Sequence, residues 1–188
     1  MILYHTGFQV IQTPDVHYGR KNADFGQGFY LTSDAEFAHR WARQRMGEKT
    51  IVNTYAFDEE GLTVHRFCRD AAWFDYLSGN RRLRPDTLAA DVIIGPIAND
   101  TLYDTFGIIT SGFLKPEDAM RLLLIGPEYT QITLKTAKAA ERLKWLSAEV
   151  LSPEDTARYS EMTASEQGAY QILFAQELER LTQNGHEG

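Results

Sequence analysis

Two closely spaced glycines precede an aromatic run in Asp24-Phe25-Gly26-Gln27-Gly28-Phe29-Tyr30-Leu31-Thr32. The glycines let the backbone turn sharply into a strand, along which successive side chains point to opposite faces. The run is not a dinucleotide fingerprint, because Leu31 stands where the third glycine of G-x-G-x-x-G belongs, and it lacks the Lys and Ser or Thr of a P-loop. It therefore predicts a glycine turn that leads into a buried strand.

A helix is predicted directly after this strand. Ser33 and Asp34 can cap it, and apolar side chains at helical spacing carry it on to Gly47. The apolar positions are Phe37, Ala38, Trp41 and Ala42.

Short mixed elements with scattered glycines and prolines predict an α+β fold. Strands are predicted at residues 2–4, which are apolar, at 28–32, which are aromatic and β-branched, and at 50–57, where apolar and polar residues alternate. Further strands, each bounded by Gly, Pro or a polar turn, are predicted at residues 62–66, 91–94 and 131–135. Two further helices are predicted at residues 69–77 and from Pro116 onward.

The chain is predicted to be helical from about residue 136 to its end. Residues 137–150 are rich in Ala, Leu, Lys and Glu, Ser152 to Asp155 has the composition of a helix start, and Thr163 to Glu166 has the spacing of a capping box. The last helix carries an apolar stripe of Ala169, Ile172, Leu173, Leu178 and Leu181. This stripe predicts packing on the protein's own sheet, with a partner-binding helix as the alternative.

The amino-acid composition argues against several classes of protein function. With 188 residues, 43% of them hydrophobic, the chain has enough apolar surface for one sizeable core, and the net charge of −7 disfavours sequence-independent nucleic-acid binding. The one cysteine, Cys68, excludes an intramolecular disulfide, and His65 with Cys68 falls short of a zinc set, so we expect no metal. Without a secretory leader or a long apolar run, we expect a cytoplasmic protein that does not engage a membrane.

Two further segments carry chemistry-bearing side chains. Tyr4-His5-Thr6-Gly7 offers an imidazole beside a backbone that a ligand can approach closely, and Tyr129-Thr130-Gln131-Ile132-Thr133-Leu134 presents an amide at the start of a strand. Each segment is a weak signal by itself.

Together the three segments resemble the catalytic core of ADP-ribosyltransferases of the diphtheria-toxin and poly(ADP-ribose) polymerase type. Their signature is His-Gly, then Gly-x-Gly-aromatic-Tyr-Phe, then a late glutamate. The chain is more closely similar to a bacterial family of ADP-ribosyltransferase-like proteins of unknown function, expected to be toxins of toxin–antitoxin pairs. The resemblance covers residues 1–145 and implies two small packed β-sheets with flanking helices, followed by a helical extension at residues 146–188 that packs on the domain.

The resemblance also implies a site for NAD, as substrate, between the two sheets. His5 would bind the adenosine-side ribose, the Thr6 and Gly7 backbone would grip the nicotinamide carboxamide, and Tyr30 would stack on the nicotinamide ring. Gly28 would belong to the NAD-binding loop, and Arg20 would meet the pyrophosphate by a charge-assisted contact.

The sequence departs from the family signature at the late glutamate, where Gln131 stands. Its amide can orient a ribose hydroxyl but carries no charge to stabilise the oxocarbenium character that develops as the nicotinamide bond breaks. Chain extension into poly(ADP-ribose) is therefore not expected. Glu128 is the nearest carboxylate that could substitute, although a solvated loop acid is the simpler interpretation.

The sequence thus predicts a mono-ADP-ribosyltransferase with Tyr30 and Gln131 as catalytic residues, an antitoxin protein as partner, and a protein or nucleic acid as acceptor. One alternative is an inactive module of the same fold that binds NAD or ADP-ribose, and another is an interaction protein that acts through its C-terminal helices. Arg81, Arg82 and Arg84 form a basic cluster that could contact phosphate and base, with a solvated helix end slightly favoured.

Overall fold

The computed structural model describes residues 1–41, 48–99 and 114–184. The chain divides into two units, of which the first comprises Met1–Pro96 and Tyr129–Glu161 and the second Ile97–Glu128 and Met162–Gly188. Strands and helices together give the mixed α+β fold predicted from the sequence.

Seven strands of the described residues form two sheets in the first unit. In chain order they are β1 (Ile2–Gly7), β2 (Phe29–Leu31), β3 (Ile51–Phe57), β4 (Val64–Arg66), β5 (Val92–Pro96), β6 (Thr130–Leu134) and β7 (Leu143–Val150). The first sheet is antiparallel in the order β1-β3-β7. The second has the order β2-β6-β5-β4, in which only the β4–β5 pair is parallel.

The main core of the first unit lies between the two sheets. Side chains of alternate residues from both sheets meet there, as the two-residue period of a strand requires. The buried members are Leu3, Val16, Phe29, Leu31, Tyr55, Phe57, Val92, Ile132, Leu134 and Ala139. A smaller cluster of Ala38, Val52 and Leu151 lies on the opposite face of the first sheet.

Five α-helices accompany the strands in the described residues. They are α1 (Ala35–Arg40), α2 (Ala71–Arg81), α3 (Pro116–Leu123), α4 (Ala137–Ala140) and α5 (Pro153–Asn184). Asp34 caps α1 by accepting from the Phe37 amide at 3.0 Å, and Asp70 caps α2 by accepting from the Trp73 amide at 3.0 Å. These caps satisfy amides that have no partner within the helix.

A histidine ties α1 to β7. His39 faces the Ala35 carbonyl at 2.6 Å through Nδ1 and the Glu149 carboxylate at 3.0 Å through Nε2. Both partners are acceptors, so only the protonated ring donates to both. Although partial burial opposes it, these hydrogen bonds and the Glu149 charge raise the pKa of His39.

The second unit contains α3 and most of α5. Its buried apolar side chains include Leu122 and Leu123 of α3 and Tyr170 and Phe174 of α5. Asn99, fully buried, donates to the Pro127 carbonyl at 3.1 Å and to the carbonyl of Ile125. No helix in the described ranges is both long enough and apolar enough to cross a bilayer.

All six predicted strands are confirmed, as are the helices at residues 69–77 and after Pro116. The helix after Ser33 begins where expected, and its predicted continuation over residues 42–47 lies outside the described residues.

The helical prediction for residues 137–150 is wrong. Only the four residues of α4 are helical there, and β7 follows, paired with β3 along its whole length. The expected division between residues 145 and 146 consequently falls inside β7.

Two further expectations about α5 are wrong. The capping box predicted a helix start at residue 163, whereas α5 is continuous through it. The apolar stripe of α5 that was predicted to pack on the sheet is also not the buried face of the helix. Ile172 and Leu173 of that stripe are 62% and 49% exposed, whereas Tyr170 and Phe174 are buried.

Candidate functional site

Pairing of β1, β2 and β6 places the backbones of His5, Tyr30 and Gln131 on adjacent strands, with the His5 side chain on the core-facing side of β2 and the Tyr30 and Gln131 side chains on the opposite side. A bridge joins β1 to β2, with the Tyr4 amide donating to the Thr32 carbonyl at 2.8 Å and the reverse bond at 3.0 Å. Next along the second sheet, β6 pairs with β2 so that Thr133 lies opposite Tyr30. Gln131, two residues before Thr133, is therefore a diagonal neighbour of Tyr30 at about 7–8 Å.

His5 lies on β1, and its ring is ordered by contacts with β2. The ring stacks on Phe29 with centroids 4.5 Å apart, and Nδ1 lies 2.8 Å from the Tyr30 carbonyl. Because that carbonyl can only accept, Nδ1 carries the hydrogen. Burial lowers the pKa of His5, against the opposing effect of the Tyr30 hydrogen bond, so the ring is neutral and Nε2 is an acceptor.

Tyr30 extends from the other side of β2, opposite Phe29, as the alternation predicted. Its phenol donates to the Gly26 carbonyl at 2.7 Å and accepts from the Phe25 amide at 3.0 Å. Burial and the nearby Asp24 charge raise the pKa of this phenol well above its ordinary range. The hydroxyl is therefore protonated at neutral pH and engaged with the backbone, which leaves the ring itself to meet a ligand.

Gln131 is 7% exposed at the start of β6, where it pairs with Gly95 of β5. Its amide nitrogen lies 3.4 Å from the Pro96 carbonyl, which is a long hydrogen bond. Among the described residues nothing donates to its side-chain carbonyl oxygen, so this oxygen can accept a hydrogen bond from a hydroxyl group of a ligand.

Among the described residues, nothing pairs with the peptide group of Thr6 on the edge of β1. Backbone groups alternate between the two edges of a strand, and those of Tyr4 face Thr32, so those of Thr6 face the same way. Gly7 by the same rule faces β3, where it pairs with Ile51. The Thr6 side chain donates to the Ala38 carbonyl at 2.5 Å, so Thr6 offers its peptide group and not its hydroxyl.

The two other predicted binding residues do not contact this group of side chains. Gly28 has a packing role, since a Cβ there would lie 2.6 Å from the Leu134 carbonyl oxygen and 2.6 Å from Thr133 Cγ2. Arg20 is exposed in the preceding segment, and none of its side-chain contacts reach His5, Tyr30 or Gln131.

Asn53 belongs to a segment that matches the family pattern, Val52-Asn53-Thr54-Tyr55, but the sequence assigned no role to it; in the structure it lies opposite His5 on β3. This fully buried amide donates to the Gln9 carbonyl at 2.9 Å and accepts from the Ile11 amide at 2.9 Å, and so anchors the chain that follows β1. Besides that match, a polar residue at an apolar position of a predicted strand indicates a buried, hydrogen-bonded side chain.

Arg81 was assigned to an exposed basic cluster, and that assignment is wrong. Its side chain is 3% exposed and forms a salt bridge with Asp24, with 2.8 Å from each of Nε and Nη2 to Oδ1. Arg84 lies 3.6 Å from Asp75 at the surface. The cluster therefore offers fewer exposed cations than the sequence suggested.

Glu128 is exposed and belongs to the second unit.

The residues around these strands thus offer a neutral imidazole acceptor on the core-facing side of β2, a tyrosine ring and an uncharged amide on its opposite side, and a Thr6 peptide group on the β1 edge that faces away from β3. The described residues contain no group of three or more His, Cys, Asp or Glu side chains arranged to hold a metal ion.

Residues 1–145 match the sequence family described as "Protein of unknown function (DUF3990)". The chain belongs to the DUF3990 family. The match ends inside β7, so the DUF3990 region contains His5, Tyr30 and Gln131 but not the whole of the first sheet. Comparisons with curated proteins and with solved structures give no match.

Proposed function

We propose that this protein is a mono-ADP-ribosyltransferase that cleaves NAD at the nicotinamide–ribose bond and transfers ADP-ribose to a macromolecule. The observation that carries the proposal is that β1, β2 and β6 are adjacent, with the His5 ring against the Tyr30 carbonyl and Gln131 a diagonal neighbour of Tyr30, in the chain order of the ADP-ribosyltransferase signature. Two small sheets with a core between them agree with that type of fold.

Each side chain has a role that its contacts allow. Nε2 of His5 accepts a hydrogen bond from the adenosine-side ribose, and the Thr6 peptide group pairs with the carboxamide. Tyr30 stacks on the nicotinamide ring, a contact that contributes about 0.5–1.5 kcal/mol beyond area burial. The Gln131 carbonyl oxygen accepts a hydroxyl of the nicotinamide-side ribose and orients the sugar as positive charge develops on it.

A second function is favoured by the same Gln131. An amide stabilises the developing cation less than a carboxylate does, so a module that binds NAD or ADP-ribose without cleaving it is the alternative. In either case the biological setting we propose is a cytoplasmic toxin restrained by an antitoxin protein.

The test is incubation of the purified protein with adenine-labelled NAD and a bacterial lysate, followed by separate nuclease and protease digestion. Label that survives nuclease but not protease indicates a protein acceptor, and the reverse indicates a nucleic acid. NAD binding without incorporation supports the binding module, and neither binding nor incorporation contradicts both functions.

Two tyrosine variants make the test specific for the site. Tyr30→Ala removes the stacking ring, and Tyr18→Ala removes a tyrosine that is 93% exposed. We expect incorporation to be lost in the first and kept in the second, with both proteins shown to be folded by circular dichroism. Full activity of a folded Tyr30→Ala protein would refute the site.

A further inference from the structure

The Tyr30 ring is oriented through its hydroxyl by the backbone of residues 25 and 26. The phenol accepts from the Phe25 amide and donates to the Gly26 carbonyl, at 3.0 and 2.7 Å. The direction of the ring therefore depends on where the segment from Asp24 to Gly26 lies.

Three side chains from outside hold that segment. Arg81 pairs with the Asp24 carboxylate, Asn80 donates to the Asp24 carbonyl at 3.2 Å, and Lys135 donates to the carbonyl of Phe25. Arg81 and Asn80 end α2, whereas Lys135 directly follows β6. The segment is thus fixed to two elements that are far apart in sequence.

Gly26 fits closely against these side chains. Its φ is +71°, a left-handed conformation that favours glycine. A Cβ at this position would lie 2.8 Å from Asn80 Oδ1 and 2.9 Å from Lys135 Nζ. The backbone of the segment therefore has little freedom to shift while Asn80 and Lys135 stay in place.

Lys135 and Asn80 are themselves held by neighbours. Lys135 pairs with Asp86 at 3.1 Å, and Asp86 accepts from the Tyr76 hydroxyl at 2.8 Å. Asn80 also donates to the Tyr76 carbonyl at 3.1 Å. The contacts form one connected network from α2 through the segment to the Tyr30 phenol.

A buried ion pair often adds little net stability compared with apolar side chains of similar volume, because both charges must leave water. Arg81 and Asp24 are 3% and 10% exposed, so this cost applies to both of them. Their geometric effect is clearer, since Nε and Nη2 of the planar guanidinium both contact Oδ1 of Asp24 and hold that oxygen in place.

We propose that Arg81 is a positioning residue for Tyr30: by fixing Asp24 it holds the backbone that orients the ring against the nicotinamide. Arg81 itself contacts no substrate in this arrangement. The nicotinamide part of the proposal rests on the proposed function, whereas the orientation of Tyr30 stands independently of it.

Arg81→Lys tests the orientation, because lysine keeps the charge and loses the planar fork. The observable is the hydroxyl proton of Tyr30 in proton NMR, identified by its absence from Tyr30→Phe. In the unaltered protein we expect this proton to exchange slowly, in contrast to that of the exposed Tyr18. In Arg81→Lys we expect exchange to be about tenfold faster or the signal to be lost, because the segment opens more often.

Arg66→Lys is the matched control. Arg66 forms a two-oxygen contact with Glu59 at 2.8 and 2.9 Å, but its side chain is 55% exposed and it has no contact with the segment. We expect the Tyr30 hydroxyl signal to be unchanged in this variant. If Arg81→Lys does not fold, Asp24→Asn weakens the same ion pair from its other side and is measured in the same way.

A Tyr30 hydroxyl that exchanges as fast as that of Tyr18 in the unaltered protein overturns the proposal. So does an unchanged signal in a folded Arg81→Lys or Asp24→Asn protein.

The activity measurement separates this proposal from the proposed function. In Arg81→Lys we expect KM for NAD to rise about two- to tenfold with kcat little changed, because a misdirected ring loses part of its stacking on bound NAD. An unaltered protein that neither binds nor cleaves NAD refutes the proposed function and leaves the NMR result to decide the role of Arg81. If the unaltered protein cleaves NAD and Arg81→Lys has the same KM for NAD, Arg81 has no role in orienting Tyr30 for catalysis.

Discussion

At the scale of single residues, Gln131 is the side chain whose chemistry most limits the proposed reaction. We expect Gln131→Glu to raise the rate of nicotinamide release about tenfold or more, because a carboxylate stabilises the developing positive charge on the ribose. The same change buries a charge at a position that is 7% exposed, so we expect stability to fall by about 1–3 kcal/mol.

Nicotinamide release and a denaturant melt measure the two effects separately. Gln176→Glu, at an exposed position of α5, is the control and should change neither. A rate that falls in a folded Gln131→Glu protein would contradict the role assigned to this side chain.

His39 predicts a pH-dependent contribution to stability. Its pKa is raised in the folded protein, so its contribution is fully present below the unfolded-state pKa and is lost as the pH rises through the folded-state pKa. We expect His39→Gln to destabilise the protein by about 0.5–1 kcal/mol more at pH 5.5 than at pH 8.5.

Urea melts at the two pH values measure this difference, and His17→Gln, at an exposed histidine, is the control. An equal loss of stability at both pH values would mean that the Glu149 contact does not favour the protonated ring.

Single residues also show where sequence reasoning reaches its limit. The pattern around Tyr30 predicted both the glycine turn and the opposite faces of Phe29 and Tyr30, because these are local properties of the backbone. It did not predict that Arg81 is buried, because the partner that makes burial possible lies 57 residues away at Asp24. A charged side chain at a helix end is usually exposed to solvent, and its burial can be recognised only when the folded structure shows its ion-pair partner.

At the scale of elements, β7 is the clearest case of tertiary structure overriding local propensity. Its sequence, LKWLSAEV, contains good helix formers, yet it pairs with β3 and packs Leu143 and Trp145 against the core. Helix propensities of ordinary residues differ by less than about 0.7 kcal/mol per residue. The free energy gained from strand pairing and side-chain burial in β7 is larger than this preference. Strands with clear alternation, such as β3, were predictable because burial and pattern agree.

Two glycines provide a matched test of the local environment. Gly168 lies within α5 with open space where a Cβ would be, so Gly168→Ala should stabilise the protein by about 0.5–1 kcal/mol. Gly28→Ala places a Cβ against β6 and should destabilise it by about 1–3 kcal/mol.

Thermal melts of both variants show directly whether each substitution raises or lowers the melting temperature. Destabilisation by Gly168→Ala would indicate that α5 is interrupted near the predicted helix start at residue 163. A neutral Gly28→Ala would show that the strand can move away from β6 at little cost.

At the scale of the whole molecule, the family boundary does not coincide with a folding boundary. Truncation after residue 145 removes the strand partners of Ile51, Val52, Asn53 and Thr54, and it also removes buried Leu151. We therefore expect residues 1–145 to lack cooperative unfolding when followed by circular dichroism in urea. A truncated protein with the same midpoint as the full chain would show that β7 is dispensable.

The order of the strands along the chain also has a consequence for synthesis. His5 and Tyr30 leave the ribosome early, but Gln131 and the last strand of the first sheet follow only after the chain has passed through residues 97–128 of the other unit. At about 5–20 residues per second, roughly 5–20 s separate the emergence of Tyr30 from that of Gln131. A nascent chain released before Thr130 carries no complete site, so an enzyme of the proposed kind would stay inactive at least until Gln131 had been added and β6 had paired with β2.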